Sequence, residues 1–195
     1  MIEEAKNKSN SKDSIVPFTI QNNTVRGRLA RVDKSLSSIL AQHKYPVKVG
    51  ELLAEAILLT SLIGQTIKLK WKMSLQVRGT GAIKLISTDY FSSGSAEHEA
   101  QIRGFASFDK SALEDTKCSS FKCLGKGFFS IILDQGSGTK PYQGITPLTG
   151  ETLAETAEHY FYQSEQIATS FKMFVGQTKD RDQKRPRERP CELCC

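Results

Sequence analysis

The sequence predicts an α+β fold, a mixed or antiparallel β-sheet core packed with helices and flanked by disordered termini. Three observations carry this. Val49, Leu52, Leu53, Ala56, Ile57, Thr60 and Ile63 recur at i, i+3, i+4 and i+7, the stripe of a core helix. Leu69, Trp71, Met73, Leu75 and Val77 then alternate without a break against polar neighbours, the pattern of a half-buried strand. Gly79-Thr80-Gly81 turns that strand directly into another apolar run, which makes a hairpin and hence an antiparallel pair.

Taken in order, residues 1–14 are polar and aperiodic and read as a disordered lead. Residues 15–176 form the core domain, and 177–195 a charged tail. From Thr24 to Arg31, Val25, Gly27 and Leu29 alternate with Arg26, Arg28 and Ala30, predicting a half-buried strand with one basic face. Ser35 is placed to cap a short helix carrying Leu36, Ile39, Leu40 and His43, which Tyr45-Pro46 ends. The central helix follows from about Val47 to Ile63, with Gly64 as its C-terminal cap. The next strand presents Lys68, Lys70, Lys72 and Arg78 on its solvated side.

Past the hairpin turn, Ala82–Ser87 pairs back, Tyr90–Ala100 is a loop, and Gln101–Ser107 is a strand. Phe108–Lys122 is a polar connection with one helical turn. Gly127–Asp134 is an apolar strand, Gly136-Ser137-Gly138 turns it, and Tyr142–Pro147 returns. The last helix starts at Thr149-Gly150-Glu151-Thr152 and buries Leu153, Ala157, Tyr160, Phe161 and Ser164. After Gly176 periodicity is lost.

Several function classes lose support at once. The apolar stretch Ala56–Ile63 is interrupted by Thr60 and Ser61, whereas a membrane-spanning helix needs about 20 apolar residues. The opening Met1-Ile2-Glu3-Glu4 is acidic where a secretory leader is basic, so the expectation is a soluble, cytoplasmic protein. Lys plus Arg is 27 against 21 Asp plus Glu, a net charge of +6 and a pI near 9.1. Lys184, Arg185, Arg187 and Arg189 form a basic cluster. It reads as a solvated tail, with nucleic-acid binding through Lys184–Arg189 as the alternative.

Catalytic chemistry finds no setting. Gly79-Thr80-Gly81 and Gly125-Lys126-Gly127 resemble fragments of phosphate loops, but no helix follows either, so both read as turns. Glu155 and His159 stand four apart on a helix and read as an exposed pair rather than metal ligands. Cys118 and Cys123 are spaced too loosely for a metal signal. Cys191-Glu192-Leu193-Cys194, with Cys195 beside it, suits half of a tetrahedral zinc site, or a reversible disulfide, or nothing at all in a charged tail.

The order of motifs adds a further reading. Arg26-Gly27-Arg28, Tyr45-Pro46 before Leu52-Leu53-Ala54-Glu55-Ala56, and Leu75-Gln76-Val77-Arg78-Gly79-Thr80-Gly81 come first. Ile102-Arg103-Gly104-Phe105-Ala106, Leu124-Gly125-Lys126-Gly127, Tyr142-Gln143-Gly144-Ile145 and Leu148-Thr149-Gly150-Glu151 come next. Tyr160-Phe161-Tyr162-Gln163-Ser164-Glu165-Gln166-Ile167 closes the run. From about Phe18 to Thr169 this resembles the amino-terminal domain of the heat shock protein 33 family, redox-regulated holdase chaperones.

The resemblance implies an ATP-independent cytoplasmic protein, not an enzyme, that holds unfolding client proteins during oxidative stress. A homodimer is a further expectation. In the family a C-x-C and a C-x-x-C pair bind one zinc, and oxidation converts them to disulfides. Here Cys191 and Cys194 match the C-x-x-C pair, but no C-x-C occurs and the pair arrives early in the chain. Ala168 stands where the family usually has proline. The resemblance therefore leads to the expectation of a chaperone core with most of its linker and zinc switch missing.

Overall fold

The computed structural model describes residues 13–20, 25–92, 100–114 and 119–176. Seven strands and four helices occur among them. A two-stranded antiparallel ribbon joins β1 (Ser14–Ile20) to β2 (Val25–Arg31). A five-stranded antiparallel sheet has the order β5-β4-β3-β6-β7, built from β3 (Lys72–Gly79), β4 (Ile83–Phe91), β5 (Gln101–Phe108), β6 (Gly127–Asp134) and β7 (Tyr142–Pro147). The α+β expectation holds, and every sheet pairing is antiparallel.

Helix α2 (Val47–Gly64) lies on one face of this sheet. Val49, Leu52, Leu53, Ala56, Ile57 and Leu59 are fully buried and meet Met73, Leu75, Val77, Ile83, Ile86 and Phe129 in one core. Within the layer the buried hydroxyls of Thr60 and Thr88 hydrogen-bond each other. Pairing them satisfies two groups whose desolvation would otherwise cost about 1–3 kcal/mol each. Gly64 closes the helix as its last residue, not as its cap. A Cβ there would come within 2.6 Å of the Tyr90 ring, so a bare α-carbon lets helix and sheet approach.

Helix α1 (Lys34–Ala41) packs Ile39 into the same core. Ser35 does not cap it. The Asp13 carboxylate, twenty residues upstream, accepts from the Asp33, Lys34 and Ser35 amides at 2.6, 2.8 and 2.8 Å. Burial of Asp13 acts to raise its pKa, but hydrogen bonding from the Ser35 side chain, together with these amides, outweighs it and holds the carboxyl below its usual value. Ser14 already belongs to β1, inside the stretch read as a disordered lead.

Helix α3 (Lys110–Glu114) is the expected single turn in the polar connection. Helix α4 (Leu153–Tyr160) is capped by the Thr152 hydroxyl, which accepts from the Glu155 amide. The Glu155 carboxylate accepts in return from the Glu151 amide, 2.7 Å away. One π-helical turn, Phe161–Glu165, continues the helix and rotates Ser164 out to solvent, where the sequence had placed it on the buried side. Tyr160 is buried against Phe129 and Phe161, with ring centroids 5.6 Å from each.

Four further expectations need correction. In β2, Val25 and Leu29 are exposed while Arg28 and Ala30 are half-buried, because the ribbon leans its other face on the core. Strand β3 begins at Lys72, so Trp71 precedes it and is exposed instead of packed. The basic side of that strand is reduced to Lys72 and Arg78 at its two ends, with buried Ser74 and half-buried Gln76 between. Strand β4 runs on through Tyr90 and Phe91, residues assigned to a loop.

Candidate functional site

The strand registers sort the sheet into two faces, since directly opposed residues share a side. Met73, Leu75 and Val77 of β3 stand opposite Tyr90, Thr88 and Ile86, and opposite Leu133, Ile131 and Phe129. This is the face under α2. The other face carries Ser74, Asp89, Arg103 and Ile132 in one row, and Gln76, Ser87, Phe105, Ser130 and Ile145 in the next. A third row holds Arg78, Leu85, Ser107, Phe128 and Pro147. No described helix buries this second face. Phe105, Phe128 and Ile145 remain 47%, 57% and 55% exposed.

Apolar side chains on that face are spaced by hydrogen-bonding ones. The Ser74 hydroxyl donates to the Asp89 carboxylate. Asp89 stands directly across from Arg103, a pairing of opposite charge. The Arg103 guanidinium lies 4.8 Å from the Phe91 ring centroid, and the Lys72 ammonium 5.5 Å from the Trp71 ring. Each cation covers an aromatic face at one end of the sheet. The surface can therefore take apolar groups in its middle and stay soluble at its margin.

A second apolar surface lies on the ribbon. Register places Val16 opposite Leu29, Phe18 opposite Gly27 and Ile20 opposite Val25, all on one side. The Phe18 ring covers Gly27 so closely that a Cβ would sit 2.1 Å from it. A two-stranded ribbon is marginal alone. This one is tied down by the Asp13 clasp and by the Arg28 guanidinium donating to the Thr66 hydroxyl at 3.2 Å.

The residues singled out in the sequence fare unevenly. Cys191, Cys194, Cys195, Cys118 and the Lys184–Arg189 cluster lie outside the described residues. Cys123 is buried in the core beside Leu124. Glu155 serves its helix N-terminus, and His159 lies in the last turn. Among the described residues no cluster of three or more His, Cys, Asp or Glu is placed to hold a metal. No described helix is long and apolar enough to cross a membrane.

The two glycine motifs meet. The Thr80 amide donates to the Lys126 carbonyl at 2.8 Å, and the Gly81 amide to the Leu124 carbonyl at 2.7 Å. Backbone fills the space of any side chain there: a Cβ on Gly81 would fall 2.4 Å from the Cys123 carbonyl. They are interlocked turns, not a phosphate cradle.

Comparison with known proteins decides the family. The profile of the family described as Hsp33 protein matches residues 13–186. The chain belongs to the Hsp33 family. The 33 kDa chaperonin of Caulobacter vibrioides is 37% identical over 170 residues, covering 85% of this chain and 54% of its own. That of Shewanella loihica is 34% identical over 166 residues, covering 85% and 55%. The crystal structure of the 33 kDa chaperonin of Thermotoga maritima superposes with a TM-score of 0.71 at 22% identity, over 88% of this chain and 57% of that one. The chain thus spans about half the length of the Hsp33 relatives it matches. The open sheet face is one part of this Hsp33 fold that the sequence pattern did not announce. Its signal was present in the second alternation, where Phe105, Phe128 and Ile145 fall on the polar side of their strands.

Proposed function

We propose that this chain is the client-binding core of an ATP-independent holdase, and that the open face of the five-stranded sheet receives clients. The observation carrying the reading is the exposure of Phe105, Phe128 and Ile145 on a face that no described helix covers. An unfolding protein presents apolar side chains, and burying them against this face gains roughly 25 cal/mol per Å². The polar residues between them, Ser87, Gln76 and Arg103, satisfy client backbone groups that a purely apolar surface would strand. The family's chaperonin names support client binding.

Redox control belongs to the same reading. Cys191 and Cys194 form the reactive pair: two thiols and one peroxide give one disulfide and two waters. These two thiols supply half the ligands of a tetrahedral thiolate site, and the chain has no C-x-C to supply the other half. They do not fit a self-contained zinc centre, so the mechanism proposed here runs without one.

The test is light scattering from heat-unfolding citrate synthase, with the full chain reduced and then peroxide-treated. Suppression in both states gives a constitutive holdase. Suppression only after oxidation, abolished by C191S/C194S, gives a redox-gated one. Suppression in neither state removes the reading. Sedimentation velocity at micromolar concentration reports whether the expected homodimer forms.

A further inference from the structure

We propose that the free edge of β5 binds an extended client segment by strand addition, a hydrogen-bonding site at the margin of the face described above. It deepens the client-binding reading and rests on it.

The argument starts with hydrogen-bond alternation. Strand β5 pairs with β4 and with no other described strand. Along an antiparallel edge, successive residues turn their N–H and C=O groups alternately toward the partner and away from it. The Ala106 amide donates to the Tyr45 hydroxyl at 3.2 Å, so residue 106 is of the outward set. The register from Ile86↔Ala106 to Phe91↔Gln101 is unbroken, and Gly104 and Ile102 belong to the same set. Tyr45 seals one outward amide. Those of Gly104 and Ile102 stand beyond its reach.

Between Gln101 and Phe105 the edge is weakly protected. Proteins blunt free edges with proline, charged side chains, bulges or a covering element. Gln101–Phe105 contains no proline, its one charge, Arg103, is drawn back over the Phe91 ring of the neighbouring strand, and the register shift of this pairing lies at the far end, between Ile83 and Leu85. A cavity of about 450 Å³ opens here instead. It is walled by Ile39, Gln42 and His43 on one side and by Asp89, Arg103 and Phe105 on the other, with Ile102 and Gly104 lining it. His43 and Phe105 meet edge-on, their centroids 6.0 Å apart, which fixes the wall.

Unpaired backbone donors and acceptors at strand spacing select their occupant by chemistry. Extended polypeptide offers the complementary ladder, and side chains on one side of it enter the cavity while those on the other extend the open face. Sequence tolerance follows, because the ladder is backbone to backbone. Unfolding proteins expose such segments in quantity.

The probe is a fluorescein-labelled twelve-residue peptide of alternating valine and threonine with terminal lysines, offered to the full chain beside a copy N-methylated at alternate residues. The plain peptide is expected to bind at least tenfold more tightly. It is also expected to slow hydrogen exchange at the Ile102 and Gly104 amides, with Ala106 as the internal control. Equal binding of the two peptides overturns the proposal, as does binding that leaves both amides at their free exchange rate. Suppression of citrate synthase aggregation with no protection at residues 102 and 104 overturns strand addition while leaving the client-binding reading intact. Absence of both suppression and peptide binding overturns the two together.

Discussion

The buried hydroxyl of Tyr160 sits over the bare α-carbon of Gly144, so closely that a Cβ there would lie 2.2 Å away. The same hydroxyl donates to the Glu165 carboxylate at 2.9 Å, and Tyr142 donates to that carboxylate at 3.3 Å. Burial, and then the bond to Glu165, push the Tyr160 phenol far above its ordinary value, so it remains a donor at every working pH. Gly144→Ala is expected to destabilise the fold by about 1–3 kcal/mol through overpacking, read as a lower denaturant midpoint. Tyr160→Phe is expected to cost about 1 kcal/mol, the net worth of one hydrogen bond.

Asp13 ties the ribbon to α1 through three amides. Its folded pKa is depressed, so its stabilisation is complete above the ordinary aspartate range and is lost as pH falls through the lower folded value. Asp13→Asn is expected to lower stability by about 1 kcal/mol at pH 7, in the range of a lost helix cap. The difference from the parent should vanish under strongly acid conditions. A thermal melting series across pH reads both.

Glu55 points the other way. Burial on α2, and then repulsion from Glu51, raise its pKa. The native state therefore favours the neutral form, and the penalty for ionising Glu55 grows as pH rises through the ordinary glutamate value. Glu55→Gln is expected to raise Tm at pH 7 and to leave it unchanged at pH 4. Equal melting temperatures at pH 7 would show that the burial costs nothing.

The open face is testable apart from stability. Phe128 and Ile145 are more than half exposed. Replacing both with serine is expected to leave the unfolding free energy from a denaturant titration within about 0.5 kcal/mol of the parent, as for other surface changes. The amount of chain needed to suppress citrate synthase aggregation should rise severalfold. An unchanged dose would move the client surface elsewhere, with the apolar side of the ribbon next in line.

Legibility in the sequence tracked burial. Strands β6 and β7 emerged with their boundaries as read, because Phe129, Ile131 and Gly144 sit on a face with a definite inside. The strand Ser14–Ile20 was missed: Pro17 argues against a strand, and its apolar side chains face solvent, so no burial contrast marks it. Trp71 misled because alternation alone does not show where a strand starts. The π-helical turn after Tyr160 defeated helical periodicity for Ser164 in the same way. The open face hid for a different reason. Serine and glutamine on one side of a strand look like ordinary solvated positions until four neighbouring strands line them up with Phe105 and Phe128. The cysteine pair Cys191 and Cys194, the sharpest chemical signal in the sequence, lies outside the described residues.

The interlocked turns at Gly79–Gly81 and Leu124–Gly127 also govern the order of assembly. Strand β3 meets β4 across a tight hairpin, a fast local event, but its other neighbour arrives about fifty residues later in the chain. Until Leu124 and Lys126 accept from Gly81 and Thr80, one side of the central strand is an unpaired edge. Closing that long loop is the slow step expected in refolding, and it comes late during synthesis, after β3 has already left the ribosome. A nascent chain of this protein therefore passes through a stage at which it resembles the aggregation-prone clients proposed for it above.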